Sequence, residues 1–191
     1  MDNVIIRKAK PEEAETIIDL NIKVWNSTYK GLIPQEIIDK LQSKDNNRIE
    51  SMKQRIQNDH NIIVAQLNGK IIGYYSFGPS NDEKYQDSGQ IYAGYILKEY
   101  QGLGIGRKIA LVCMTELQEK GYHTLITKCL ENNPFNSFHK SLGGIYMRKD
   151  SFDPMGLHVG MENVYYHDNL EKSIELNKKK LEIKSEQKLS K

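Results

Sequence analysis

The sequence predicts an α/β (α+β) domain built on a mixed β-sheet flanked by helices, and three observations carry that expectation. First, "NIIVAQLNGKIIGYYSFG" is a hairpin, two β-rich runs joined by Asn68 and Gly69, which readily take the positive φ angles of a tight turn. Second, "QIYAGYIL", the helix-favouring stretch 102 to 120 and "TLITKCL" read as strand, helix, strand, the pattern of a right-handed crossover between parallel strands. Third, Ala14, Ile17, Ile18, Val24 and Trp25 recur at three-to-four spacing, the mark of an amphipathic helix. Antiparallel pairing early and parallel pairing near the glycines make the sheet mixed.

Taken in order, "NVIIRKAK" opens the chain as a strand. Pro11, Glu12 and Glu13 make a good first helical turn, because the acids face the positive end of the helix dipole. A second helix restarts at Pro34 with Ile37, Ile38 and Leu41 turned to one side. The hairpin follows, then a polar loop from Pro79 to Gly89, the next strand, a helix ended by Gly121, and another strand. After Leu170, "EKSIELNKKKLEIKSEQKLSK" holds seven lysines and four glutamates and too few apolar residues for a core of its own. The expected organisation is one domain over 1–168 and a lysine-rich tail over 169–191, a solvated amphipathic helix.

A chain of 191 residues fits one core. Lysine and arginine total 27 against 25 acids, a net charge of +2, which argues against a dedicated nucleic-acid binder. No apolar run is long enough to cross a bilayer, and the opening residues lack a leader pattern, so no membrane partner is expected. Cys113 and Cys129 lie in apolar surroundings without metal-ligand spacing. Two buried thiols suit a reducing compartment, so the expectation is a cytoplasmic protein with no metal.

The stretch "EYQGLGIGRKIA" puts glycines at 102, 104 and 106 where a helix begins directly after a strand. The first amides of such a helix have no intrahelical acceptor and converge, with the dipole, on a point that suits an anion. Glycines let the main chain approach a diphosphate closely, and Arg107 and Lys108 add charge. A Walker loop needs lysine and then serine or threonine after its last glycine, but "GRKI" follows here. A dinucleotide fingerprint counted from Gly102 meets Arg107 where glycine or alanine belongs, and counted from Gly104 it meets Ile109.

What remains, Gln101 with Gly104 and Gly106, resembles the Q/R-x-x-G-x-G/A signature of the Gcn5-related N-acetyltransferase (GNAT) superfamily. Further on, "NPFNSFHKSLGGIYM" is similar to the family's second signature, an asparagine and a short helix carrying F-Y-x-x-L-G-G. Early in the chain, "VWNSTYKGLIPQEIIDKL" resembles the W-x-x-x-Y-x-G-x-I-P segment of bacterial members. The resemblance implies a centrally splayed sheet, the acyl-CoA N-acyltransferase fold, with acetyl-CoA as co-substrate in the gap. It implies that main-chain groups of Ile96 and Leu97 pair with the pantetheine arm and that Gln101, Gly102, Leu103, Gly104, Ile105, Gly106, Arg107 and Lys108 hold the pyrophosphate. Asn133, with Asn132 as its alternative, and Phe138 match residues beside the coenzyme, although Phe138 also reads as plain helix packing. Trp25, Tyr29 and the loop "SNDEKYQD" are the expected walls of the acceptor site, with Asp82 and Glu83 either drawing a cationic amine or simply solvated.

Amide formation from an alkylammonium, pKa about 10, requires a proton acceptor, and a departing thiolate, pKa about 8.5, benefits from a donor. The resemblance implies direct transfer to a primary amine in a ternary complex, the amine belonging to a small molecule or to a protein, with a backbone N–H near Leu97 stabilising the oxyanion. No cysteine lies in either signature, so a covalent acyl-enzyme has no support. Two positions depart from the pattern: His139 stands where relatives carry tyrosine, and Gln90 where many carry a basic glutamate. An imidazole of ordinary pKa, about 6.5, makes His139 the candidate for proton traffic. The departures also leave open a non-catalytic acyl-CoA-binding sensor or interaction module. The resemblance allows a homodimer.

Overall fold

The Asn68-Gly69 turn is the local anchor of the sheet. Asn68 (φ 48°) and Gly69 (φ 81°) close a hairpin between β2 (Ile62–Leu67) and β3 (Lys70–Pro79), as the sequence predicts. Around it, in a computed structural model that describes residues 3–59 and 61–189, run β1 (Val4–Lys8), β4 (Gly89–Ile96), β5 (Leu125–Leu130), β6 (Ile145–Phe152) and β7 (Gly160–His167). They form one sheet in the order β1-β2-β3-β4-β5-β7-β6, antiparallel throughout except for β4 against β5.

That parallel pair is short. Only Gly89–Ile91 lie against Leu125–Thr127, and beyond them the strands part. The bend has a local cause on the other edge of β4, where Ser76 faces Ala93 and Phe77 faces Ile91, so Tyr92 is an extra residue. Such a bulge bends the strand that carries it.

Helices cover both faces. On one, α4 (Ile105–Glu119) lays Ile109, Cys113 and Leu117 on Ile72, Phe77 and Leu125. On the other, α1 (Ala14–Thr28) and α3 (Asn46–Asp59) pack Ile17, Leu20 and Ile56 against Val64 and Tyr74. A strand covered on both sides should be apolar without alternation, and β3 is buried from Ile71 to Gly78. α2 (Gln35–Leu41) adds Ile38 to a small cluster with Trp25 and Tyr29. Among the described residues, no helix is long and apolar enough to cross a membrane.

Two helices need correction or addition. The helix expected from Gly102 starts at Ile105, because Gly102 (φ 74°) and Gly104 (φ 88°) are left-handed. The segment expected as a solvated tail is α6 (Leu170–Leu189), and its first half is built into the core. Leu170 and Ile174 join the α4 cluster, while Asn169 Oδ1 caps the helix by accepting the Lys172 N–H. Residues 190 and 191 of that expected tail lie outside the described residues.

His167, at the end of β7, is fully buried, with Nδ1 on Ser173 Oγ and Nε2 without a partner among the described residues. Burial, and then the neighbouring His139, pushes its pKa down to about 4. Below an unfolded value of about 6.5 the unfolded chain takes up a proton that the folded chain refuses until about pH 4. Stability therefore falls with pH across that window, by about 3 kcal/mol at its end. Thermal melts should show the loss between pH 7 and pH 4.5 to be roughly 6 to 10 °C smaller in His167→Phe than in the wild type. Parallel slopes in the two proteins would contradict this.

Candidate functional site

Where β4 and β5 separate, the sheet opens into a cleft of about 730 Å³. One end meets the start of α4. The register Gly73 to Ile96, with the Leu97 N–H on Ile72 O, turns the main-chain groups of Ile96 to the gap. Gln101 Nε2 donates to the Ile96 carbonyl at 2.8 Å and so ties the glycine loop to the end of β4. The left-handed Gly102 and Gly104 shape the loop that carries the main-chain N–H groups of residues 102 to 107. None of these amides has an acceptor among the described residues, and the first turn-closing bond is Lys108 N–H to Gly104 O at 3.1 Å. Amides bared in this way at the positive end of a 15-residue helix fit a diphosphate.

The structure brings most of the expected site residues to this cleft. Trp25, Tyr29, Ile96, Gln101, Gly102, Gly104, Ile105, Gly106, Arg107, Asn133, Phe138 and His139 all line it. Leu97, Leu103 and Lys108 do not. Leu97 is a correction with a clear reason: its N–H is held by Ile72 O at 3.0 Å and its carbonyl by the Tyr100 N–H at 2.8 Å. No Leu97 amide is left for a ligand or an oxyanion. Leu103 packs on the α4 core, and the Lys108 side chain is exposed away from the cleft.

Several of the remaining residues are fixed by bonds within the protein. Arg107 donates to the Ser141 carbonyl (3.1 Å), to Ser141 Oγ (2.9 Å) and to Asn177 Oδ1, and lies 5.9 Å over the Phe138 ring. It thereby ties α4 to α6 and to α5 (Asn136–Ser141). Asn133 is buried, accepts the Phe135 N–H at 2.9 Å and donates to the Tyr29 hydroxyl at 3.0 Å. Trp25 Nε1 donates to Tyr95 OH at 2.9 Å and its ring tilts against Tyr29 at 4.6 Å, so the aromatic wall is rigid. Gln90 is buried and accepts the Asn81 N–H at 3.0 Å, holding the loop that joins β3 to β4.

The ionisable groups differ from expectation. His139 stacks on Tyr165 at 5.4 Å, and its Nδ1 shares a hydrogen bond with Thr127 Oγ1 at 2.9 Å. Burial pushes its pKa down to about 4, so the ring is neutral at pH 7 and has no imidazolium proton to give. Asp82 is neither solvated nor free, because it is buried against Arg148 (2.5 Å) and Lys128 (3.5 Å). Sequence reasoning missed Glu162 of β7, the one carboxylate that lines the cleft among the described residues. Burial raises its pKa, while Lys128, 3.4 Å away, pulls it back. A pairing signal could have found it only with β7 in place, since Glu162 sits opposite Leu130 of β5.

The comparisons fit this geometry. The family model described as acetyltransferase (GNAT) family matches residues 24–143, from α1 through the glycine loop to α5. The chain belongs to the GNAT family. It is 29% identical over 157 residues to YuaI of Bacillus subtilis strain 168, an uncharacterized N-acetyltransferase, covering 82% of this chain and 88% of that one. The PaiA N-acetyltransferase of Thermoplasma acidophilum, solved in complex with coenzyme A, superposes with a TM-score of 0.63 at 20% identity, over 84% of this chain and 98% of that one. The yncA protein of Salmonella typhimurium, solved with its cofactor acetyl-CoA, gives 0.66 at 20% identity, over 86% and 92%. These two likenesses speak for the GNAT fold, whose seven-stranded mixed sheet the chain has.

Cys129 lines the cleft, and burial, with Glu162 nearby, pushes its thiol up to about 12. Cys113, fully buried, is raised as well. Neither is a thiolate at neutral pH, which leaves no cysteine poised for covalent acyl transfer. Alkylation of the folded GNAT domain at pH 8 should therefore run on the order of a thousandfold slower than that of the unfolded chain. Rapid stoichiometric labelling of Cys129 would overturn that assignment.

Proposed function

We propose that the protein transfers the acetyl group of acetyl-CoA to a primary amine, carried by a small molecule or by a protein. The observation that carries the reading is the run of bare amides, residues 102 to 107, at the mouth of the parted strands. Acetyl-CoA, when bound, supplies a thioester carbonyl open to attack by an amine. The amides hold its diphosphate, and the gap-facing main chain of Ile96 aligns the pantetheine arm as an added strand would.

Proton handling falls to Glu162 rather than to His139 or residue 90. Its carboxylate lines the cleft, where burial raises its pKa and Lys128 offsets part of that rise. It accepts the alkylammonium proton, directly or through water, and its charge favours a cationic amine over a neutral one. Trp25 and Tyr29 wall the acceptor side and exclude water from the attacking nitrogen. His139 contributes a neutral ring that shapes the cleft.

Calorimetry with acetyl-CoA, followed by free-thiol release across an amine panel, tests the whole. Binding with release for at least one amine is expected. Binding without release for any amine would favour an acyl-CoA sensor, and no binding would remove both readings. Within the enzyme, Glu162→Gln should lower kcat about a hundredfold with a smaller change in acceptor KM. It should also remove the acidic limb of the pH profile, since that limb reports a carboxylate raised above its ordinary range. His139→Ala should leave the profile between pH 6 and 9 unchanged in shape, because its titration lies below that window. An acidic limb that survives in Glu162→Gln and vanishes in His139→Ala would reverse the assignment.

A further inference from the structure

One turn beyond its buried half, α6 presents Lys180, Leu181 and Lys184 to the cleft. They share one stripe by their three- and four-residue spacing. The position of that stripe is fixed by Asn177, which is fully buried and donates to the carbonyls of Leu142 (2.8 Å) and Ser173 (2.7 Å) while accepting from Arg107. Lys180 Nζ reaches the Ser141 carbonyl at 2.7 Å, and Lys184 Nζ reaches the Gly102 carbonyl at 2.9 Å. The Lys184 side chain also passes 3.5 Å from the point where a Cβ on Gly104 would stand, so it lies along the rim of the bare amides.

These cations are gathered without anions. Among the described residues, neither Lys180, Lys184 nor Arg107 lies within ion-pair distance of a carboxylate; every partner of theirs is an uncharged oxygen or an aromatic ring. Holding lysine side chains in one rotamer costs conformational entropy, and gathering like charges adds repulsion. Partial burial and the charge of Arg107 accordingly pull the Lys180 pKa down. A group with several negative oxygens, arriving from outside, offsets both costs.

We propose that α6 is part of the cofactor site, with Lys180 and Lys184 binding phosphate at the nucleotide end of coenzyme A. This rests on the acetyl-CoA reading and extends it, since the segment read as a tail then completes the site rather than trailing from it. Phosphate has two sources in that ligand, the diphosphate linker and the monoester on the ribose.

The test is calorimetric binding of coenzyme A and of dephospho-coenzyme A to the full chain and to Lys180→Met/Lys184→Met, which keeps the apolar stems and removes only the charge. Lys178→Met/Lys179→Met, on exposed positions of the same helix, controls for net charge. The expected result is about tenfold or greater weakening of coenzyme A by the first pair, a flatter dependence on ionic strength, and little change with the control. If dephospho-coenzyme A is spared, the lysines hold the ribose phosphate; if both ligands weaken equally, they hold the linker. Unchanged affinity and salt dependence in Lys180→Met/Lys184→Met, with tight binding by the wild type, would overturn the proposal alone. Absence of binding by the wild type would overturn the reading beneath it.

Discussion

A polar backbone edge left unpaired inside a folded chain is the constraint on which this structure turns. Main-chain N–H groups need acceptors, and burying one without a partner costs free energy comparable to a lost hydrogen bond. Here the fold leaves two such edges facing one space. Among the described residues, the far side of β4 beyond Ile91 has no strand to pair with, and the amides of residues 102 to 107 have no acceptor. The bulge at Tyr92 makes the first and the left-handed glycines the second. Both edges stay hydrated in the free protein or are met by a ligand that offers oxygens in the right order.

The charges are arranged along the same axis. At the α4 end the cleft carries Arg107, Lys180 and Lys184 beside the helix dipole, with no carboxylate paired to them among the described residues. At the other end Glu162 and Lys128 sit among aromatic and apolar side chains, and the surrounding charges are cancelled in pairs, Asp82 and Asp150 by Arg148. A ligand that is anionic at one end and meets a cationic acceptor at the other suits this layout. The rigid ties, Arg107 to Ser141 and Asn177, Gln101 to Ile96 and Asn133 to Tyr29, hold the walls before any ligand arrives, which limits the ordering cost of binding.

What could be read from sequence follows from how local each signal is. The hairpin was legible because Asn68 and Gly69 determine their own backbone angles, and α1 because its apolar spacing repeats over 15 residues. α3 went unread since only Ile49, Met52 and Ile56 of its residues pack inward, and its composition is otherwise that of a polar loop. The sequence does not mark β6 and β7 as elements. β6 carries exposed Ile145, Tyr146 and Met147, so no clean alternation marks it. In the site, the glycine loop was legible as a spacing, whereas Glu162 depends on β7 pairing with β5 across the sheet. Ordinary pKa values misled at His139, because burial is a property of the fold and not of the residue. Composition misled at α6, since averaging over a helix hides a face on which Leu170, Ile174 and Asn177 are buried.

On the reading proposed here, the amides of residues 102 to 107 grip an anionic linker. Their backbone resonances in 15N-labelled protein, followed while coenzyme A is titrated in, report on it directly. The Gly102, Gly104 and Gly106 resonances should shift together, saturate at one equivalent and gain protection from solvent exchange. Binding that moves resonances elsewhere while those three glycines stay where they were would contradict it.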